Sequence, residues 1–117
     1  MSTQLDGFYA AYLSAKAGQD FALLMFREGI IVGADLVGVS LDGRYSETDD
    51  GVVSISLSVK TPPNVPLIQG GTSGPDGLET QMAFRMPHNF TSQPFVRIDG
   101  PRGPVNARLV RLRGLNE

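Results

Sequence analysis

The stretch LDGRYSETDDGVVSISLSVK, residues 41–60, contains the pattern that decides the fold. From Val53 to Val59 apolar residues alternate with serines, and this period of two is typical of a strand with one face in a core and the other in water. The arm from Leu41 to Tyr45 provides an antiparallel neighbour, and Gly51 suits the turn between the arms. The stretch therefore predicts a β-hairpin.

The turn of this hairpin is acidic. Glu47, Thr48, Asp49 and Asp50, together called the acidic tip, place three carboxylates within four positions. Carboxylates are rarely buried unless they are paired, so the acidic tip should project into solvent as a concentrated negative patch. Two interpretations stay open: the tip binds a basic partner through electrostatic steering, or it is an ordinary solvated turn.

The rest of the chain has the same short-strand character. Apolar or alternating runs bounded by turn residues predict about eight strands in all. One connection is much longer: residues 61–77, TPPNVPLIQGGTSGPDG, are rich in proline and glycine and are expected to form a cap or flap. We therefore predict an all-β fold, with residues 1–117 forming one small, eight-stranded, antiparallel up-and-down β-barrel. A two-sheet sandwich is the alternative.

Composition limits the classes of function. The 117 residues include no cysteine and carry a net charge of −2, which excludes disulfides and thiolate metal sites and gives no general attraction for nucleic acid or anionic membrane. The first residues lack the pattern of a signal peptide, and no apolar stretch is long enough to span a bilayer. A soluble, cytoplasmic protein that does not bind membranes is expected.

One run is apolar on both faces, from Phe21 to Phe26. We interpret it as a strand because it is short and bracketed by turn residues. A strand of this kind needs a cover on its outer side. A homodimer interface formed by Phe21, Leu23, Leu24 and Phe26 would provide one, and a helix or the proline-rich connection of the same chain is the alternative.

The barrel interior is a second candidate site. An eight-stranded barrel is either just filled by side chains or holds one small ligand. Core packing and the binding of an apolar small molecule or lipid both remain open, since methionine-rich walls are adaptable. The residues expected to line the interior are Phe8, Tyr12, Met25, Met82, Phe84 and Met86.

Catalytic signals are weak. His88 is the sole histidine and has no assignable serine or aspartate partner. The acidic tip lacks the ordered loop and closing glutamate of a calcium site. Arg108, Arg111 and Arg113 could form a basic stripe, but without interleaved aromatics they are expected on a solvated face or paired with acids of a second subunit. We expect no catalytic residue, metal, cofactor or direct nucleic-acid contact.

Four segments together resemble the GrlR family, negative regulators of type III secretion genes in attaching enteric bacteria. They are DGFYAAYLS at 6–14, EGIIVGAD at 28–35, GRYSETDDGVVSISL at 43–57 and LETQMAFRMP at 78–87. The resemblance implies a small lipocalin-like barrel that dimerises. It also implies that a Glu-Asp-Glu-Asp run contacts a transcriptional activator. That run falls on the acidic tip, where three of the four positions are acidic and Thr48 departs from the pattern.

Two functions are therefore expected as alternatives. In the first, the chain is a regulatory binding protein whose acidic tip sequesters a DNA-binding transcriptional activator away from DNA. In the second, the chain is a carrier or sensor whose barrel interior binds a lipid or other small hydrophobe.

Overall fold

The computed structural model describes residues 5–116 as one antiparallel sheet rolled into a nearly closed barrel. The predicted all-β fold with eight antiparallel strands is confirmed, and its form is consistent with a lipocalin-like barrel. The strands are β1 Gly7–Ala15, β2 Gly18–Arg27, β3 Ile30–Asp35, β4 Ser40–Glu47, β5 Val52–Thr61, β6 Leu78–Pro87, β7 Val96–Gly100 and β8 Gly103–Arg113. A 3-10 turn, Phe90–Ser92, lies between β6 and β7. Residues 5–116 contain no helix of the length and hydrophobicity that crossing a membrane requires.

The strands follow the order β6-β5-β4-β3-β2-β1-β8-β7. Each of the first five strands pairs with the next along the chain, and β8 pairs with both β7 and β1. The sheet order ends at β6 and β7, which approach each other without forming a ladder. A Cβ on Gly100 of β7 would lie 3.2 Å from Met82 Cε of β6, so the methionine side chain occupies the seam. This seam is where the barrel stays incompletely closed.

The predicted hairpin is formed by β4 and β5. Tyr45 is the register partner of Ile55, and both are buried. At the turn, the backbone N–H of Thr48 donates to the carbonyl of Val52 (2.8 Å), and Gly51 takes a φ of +77°, which favours glycine. The alternation read from the sequence therefore corresponds to an inward and an outward face.

An aromatic cluster fills the end of the barrel nearest this turn. Tyr9, Phe26, Tyr45 and Phe90 are all buried, with ring centroids 4.7 Å apart for Tyr9 and Phe26 and 5.0 Å apart for Phe26 and Tyr45. The Tyr45 hydroxyl donates to Asp6 Oδ1 (2.8 Å). Burial first, and then this hydrogen bond, raise the pKa of Tyr45 to about 12. This end is therefore closed by well-packed rings whose polar tips have partners.

Glycines allow leucines to pack closely along the inner wall. Gly43 of β4 pairs with Leu57 of β5, and a Cβ on Gly43 would lie 2.6 Å from Leu57 Cδ2. On the β2–β3 pair, Gly33 of β3 pairs with Leu24 of β2, and a Cβ on Gly33 would collide with the Leu24 side chain. Each leucine thus leans over the glycine on the adjacent strand, and any side chain there would collide with it.

The inward and outward faces of β1 and β2 differ from the prediction. Phe8 and Tyr12 were expected inside, but they are 40% and 48% exposed on the outer face, and Met25 joins them there as the register partner of Phe8. Conversely, Leu24 and Phe26 point into the core, so their assignment to an outer dimer interface was wrong. Both faces of these strands are apolar, and alternation groups residues by face without saying which face turns inward.

Candidate functional site: the barrel cavity and the acidic tip

The barrel encloses a cavity of about 400 Å³. All eight strands contribute lining side chains, which are mainly aliphatic. Met82, Phe84 and Met86 of β6 line it as predicted. The cavity is of the size used by proteins that bind small molecules, roughly 300–1,000 Å³. Among residues 5–116, no lysine, arginine or histidine lines it.

Small residues on one wall explain why the interior is not filled. Ala11, Ala22 and Ala107 stand on the adjacent strands β1, β2 and β8, and all three are buried against the cavity. The opposite wall carries larger residues such as Leu57 and Phe84. Side chains the size of leucine at the alanine positions would occupy much of this space. The alanines were visible in the sequence, but their common wall depends on the pairing of β8 with β1.

The long connection between β5 and β6 covers the open end of the barrel. Its residues Val65 to Gln69 line the cavity. The backbone N–H of Ala17 donates to the carbonyl of Ile68 (2.7 Å), and Gln69 Nε2 donates to the carbonyl of Gly103 (3.4 Å). The connection, residues 62–77, is therefore a cap, one of the two forms expected for it.

The cap also has internal order, centred on Ser73. The hydroxyl of this buried residue accepts a hydrogen bond from the Val65 N–H (2.9 Å) and donates to the Pro62 carbonyl. Further along the hairpin-like cap, Leu67 N–H donates to the Gly71 carbonyl (2.9 Å). These bonds hold the apolar side chains of the cap over the cavity.

Two carboxyl groups lie at the capped end, and the sequence analysis missed both. Asp20 of β2 and Asp35 of β3 both line the cavity. The backbone N–H groups of Val37 and Val39 donate to Asp35 Oδ1, each at 2.9 Å, so this oxygen shapes the β3–β4 turn. Asp35 Oδ2 is buried and lacks a regular hydrogen bond to any group within residues 5–116.

This environment raises the pKa of Asp20. Burial is the largest cause that raises the pKa of Asp20, and its interaction with the Asp35 carboxyl adds to the rise, to about 6. The signal in the sequence was the phase, because Asp20 alternates with the inward residues Ala22 and Leu24. Two facing carboxyls beneath a cap, at the end of an apolar cavity, form an unusual polar site.

The acidic tip lies at the opposite end of β5 from the cap. All four of its residues are exposed. Thr48 Oγ1 donates to the Asp50 carboxylate, and this hydrogen bond is the main cause that lowers the pKa of Asp50. Arg85 Nη2 lies 3.7 Å from Asp50 Oδ2, with both side chains mostly in solvent. Thr48 thus orders the turn, while Glu47 and Asp49 have no side-chain partner within residues 5–116.

A second surface feature is the outer face of β1, β2 and β3, here called the outer apolar face. Its exposed members are Phe8, Tyr12, Leu23, Ile30 and Val32, and Phe21 and Met25 lie among them in register. Phe21 and Leu23 therefore lie where the predicted interface would need them. Exposed apolar patches of this kind commonly mark interaction surfaces.

The remaining candidates have structural partners. The exposed His88 ring places Nδ1 3.2 Å from the Gly51 carbonyl, and its backbone N–H donates to the same oxygen (2.9 Å). Arg108 lies over the Tyr12 ring, with Cζ 5.5 Å from the centroid, and Arg111 Nη2 donates to the Asp6 carbonyl (3.0 Å). Residues 5–116 contain no group of three or more histidine, cysteine or acidic side chains arranged to hold a metal ion.

The comparisons with known proteins add no relative to this description. No protein family, no curated protein and no solved structure matches this chain.

Proposed function

We propose that this protein is a non-catalytic regulatory binding protein that uses the acidic tip to hold a DNA-binding transcriptional activator. The observation that carries the proposal is the acidic tip itself, in which three exposed carboxylates project from a hydrogen-bonded hairpin turn. Such a patch steers a basic surface towards it and speeds association at low salt. The resemblance to GrlR supports the same role, with type III secretion genes as the regulated targets and the cytoplasm as the place of action.

The mechanism of this regulation is sequestration. A basic DNA-binding surface and the acidic tip are complementary in charge, so binding to the tip competes with binding to phosphates. Glu47 and Asp49 supply the carboxylates that are not engaged by Arg85 or Thr48. The affinity of the partner for the acidic tip should therefore fall steeply as the salt concentration rises, because salt screens exposed charge pairs.

The outer apolar face gives the protein its second proposed contact, with another copy of itself. Leu23, which is 50% exposed, lies at the centre of the outer apolar face, and Tyr12 and Val32 lie on the flanking strands. An antiparallel sheet face of this hydrophobicity is stabilised when a symmetric copy covers it, because an isologous contact repeats the same apolar surface on both sides. A homodimer leaves the acidic tip of each copy accessible, since the tip lies beyond the ends of β4 and β5.

A capture experiment tests the regulatory role. Tagged protein is incubated with lysate of its host at low and moderate salt, and retained proteins are identified by mass spectrometry. The test variant is Glu47→Gln, Asp49→Asn, Asp50→Asn. The matched control is Asp42→Asn, Asp76→Asn, Glu79→Gln, which removes the same charge from exposed positions elsewhere.

The proposal requires one DNA-binding protein that the wild type and the control retain, that the tip variant loses, and that moderate salt releases. Purified partner should then be displaced from its DNA by the wild type and by the control, but not by the tip variant. Equal retention by both triple variants would show that the tip is a solvated turn.

A second candidate function is favoured by the cavity. A capped space of about 400 Å³ with an aliphatic lining suits a carrier or sensor of a small apolar molecule. Titration with the neutral fluorophore N-phenyl-1-naphthylamine tests it. Ala107→Leu should fill part of the cavity and weaken binding, whereas Ala83→Leu, the same change on the exposed face of β6, should not. Equal binding by both variants would place the fluorophore outside the barrel.

A further inference from the structure

The charged groups of the cavity all have one sign. Asp20 and Asp35 are its ionisable lining residues within residues 5–116, and the other polar side chains there are Gln19, Thr61 and Gln69. An anionic amphiphile such as a fatty acid would bring a carboxylate to this end and find no cation to oppose it. Burying an uncompensated charge is costly, so the cavity disfavours anions.

The geometry of the two carboxyls leaves one buried oxygen, Asp35 Oδ2, without a regular hydrogen-bond donor within residues 5–116. Ala22 is the register partner of Asp35, and Asp20 lies two positions before Ala22 on the same inward face, so the two aspartates are diagonal neighbours. Asp35 Oδ1 already accepts two backbone N–H groups. The Asp20 carboxyl can donate a hydrogen bond to Asp35 only while it carries a proton, which it loses as the pH rises through its pKa of about 6. Above that pH the buried Asp35 Oδ2 has no donor within residues 5–116, and a buried acceptor without a donor destabilises the protein.

An ammonium group has the chemistry that this position lacks. It carries three N–H donors and no acceptor, together with a positive charge that both carboxyls can share. A hydroxyl group supplies a single donor and no charge. The apolar walls beyond the pair then accept a hydrocarbon body, and the apolar side chains of the cap close over the head.

We propose that the cavity binds an amphiphilic amine, with its apolar body along the aliphatic walls and its ammonium group between Asp20 and Asp35. This inference rests on the proposed ligand-binding function and names the class of ligand. The head lies at the capped end and the tail points towards the aromatic cluster at the closed end. Val65 to Gln69 of the cap lie beside the head at that end.

The amine preference should depend on pH. The groups that face Asp20 are Leu13 of β1, its register partner, and Asp35 of β3, while the cap contributes no titratable side chain to the lining. Lys16, in the β1–β2 turn, is exposed and lies beside Gly70 of the cap. Because the pKa of Asp20 is raised to about 6, the pair loses negative charge as the pH falls through that value. The affinity of the cavity for an amine should therefore decrease as the pH falls.

Displacement of N-phenyl-1-naphthylamine by three ten-carbon probes tests the proposal at pH 7.5. Decylamine should displace the fluorophore at a concentration at least about tenfold lower than 1-decanol needs, and decanoic acid should need the highest concentration of the three. Asp35→Asn and Asp20→Asn should reduce the advantage of decylamine over decanol to about threefold or less. Asp42→Asn, which changes an exposed aspartate on β4, should retain it. Thermal unfolding with each probe gives a second readout, because a bound ligand raises the midpoint.

The outcomes separate this inference from the function beneath it. If the fluorophore binds and decanoic acid competes as well as decylamine, or both aspartate variants keep the amine preference, the inference is overturned and the ligand-binding function stands. If neither the fluorophore nor decylamine binds or raises the unfolding midpoint, both are overturned.

Discussion

Replacing Asp20 by asparagine should stabilise the folded protein near neutral pH and do so much less in acid. The pKa of Asp20 is raised in the folded protein from its ordinary value of 3.8 to about 6, so the folded state binds the proton more tightly than the unfolded state. The stabilisation that this proton provides is fully present below pH 3.8 and is lost as the pH rises through about 6. An asparagine cannot ionise, and the variant therefore avoids this loss.

The magnitude follows from the shift. About two pKa units correspond to roughly 3 kcal/mol of folding free energy as an upper limit. Asp20 keeps part of its surface in solvent, so screening reduces the expected gain to about 1–2 kcal/mol at pH 7.5. The asparagine amide can also donate a hydrogen bond towards Asp35 Oδ2, which lacks a regular one within residues 5–116.

Urea unfolding followed by circular dichroism at pH 4.5 and pH 7.5 measures the effect, with Asp42→Asn as the control for an exposed aspartate. The denaturant slopes should agree among variants, so that midpoints report stability. The gain for Asp20→Asn should be largest at pH 7.5 and shrink by more than half at pH 4.5. An equal gain at both pH values, or a loss at pH 7.5, would refute the view that Asp20 is held in an unfavourable charged state beside Asp35.

Three further predictions concern packing and assembly. Phe26→Ala removes a side chain that is 1% exposed at the centre of the aromatic cluster and should cost about 3–5 kcal/mol in urea unfolding; a cost below about 1 kcal/mol would contradict that placement. Gly43→Ala adds a Cβ against Leu57 and should cost about 1–3 kcal/mol, so unchanged stability would show that the inner wall is not closely packed there. Leu23→Glu should convert the proposed dimer to a monomer in sedimentation velocity without unfolding it, whereas Leu36→Glu, at a turn residue that is 90% exposed, should leave the dimer intact; identical sedimentation of wild type and Leu23→Glu would exclude the outer apolar face as the interface.

The two proposed sites lie at opposite ends of the same strands. β5 runs from the acidic tip at Val52 to the cap at Thr61, a length of about 30 Å. The tip is built from exposed charge on a short turn, and the cavity from buried apolar walls beneath a long connection. Mutations at one end should therefore leave the other nearly unaffected, since distant sites without shared partners behave additively.

The sequence alone determined the strand pattern. Alternation from Val53 to Val59 and from Leu78 to Met86 marks faces that differ sharply in polarity, and for such strands one face must be buried. This is why the interior positions of Met82, Phe84 and Met86 were predicted correctly. The exposed position of the acidic tip was predictable for the same local reason, because unpaired carboxylates stay in water.

Only the tertiary structure decided the features that depend on which strands become neighbours. On β1 and β2 both faces are apolar, so burial of Tyr9 and Phe26 rather than Phe8 and Leu23 was settled when the barrel closed by pairing β1 with β8. The same closure set three alanines on one wall and left the cavity. The pairing of β2 with β3 brought Asp20 and Asp35 together, although they lie 15 positions apart in the chain. Local periodicity specifies which residues share a face, whereas long-range pairing specifies what that face meets.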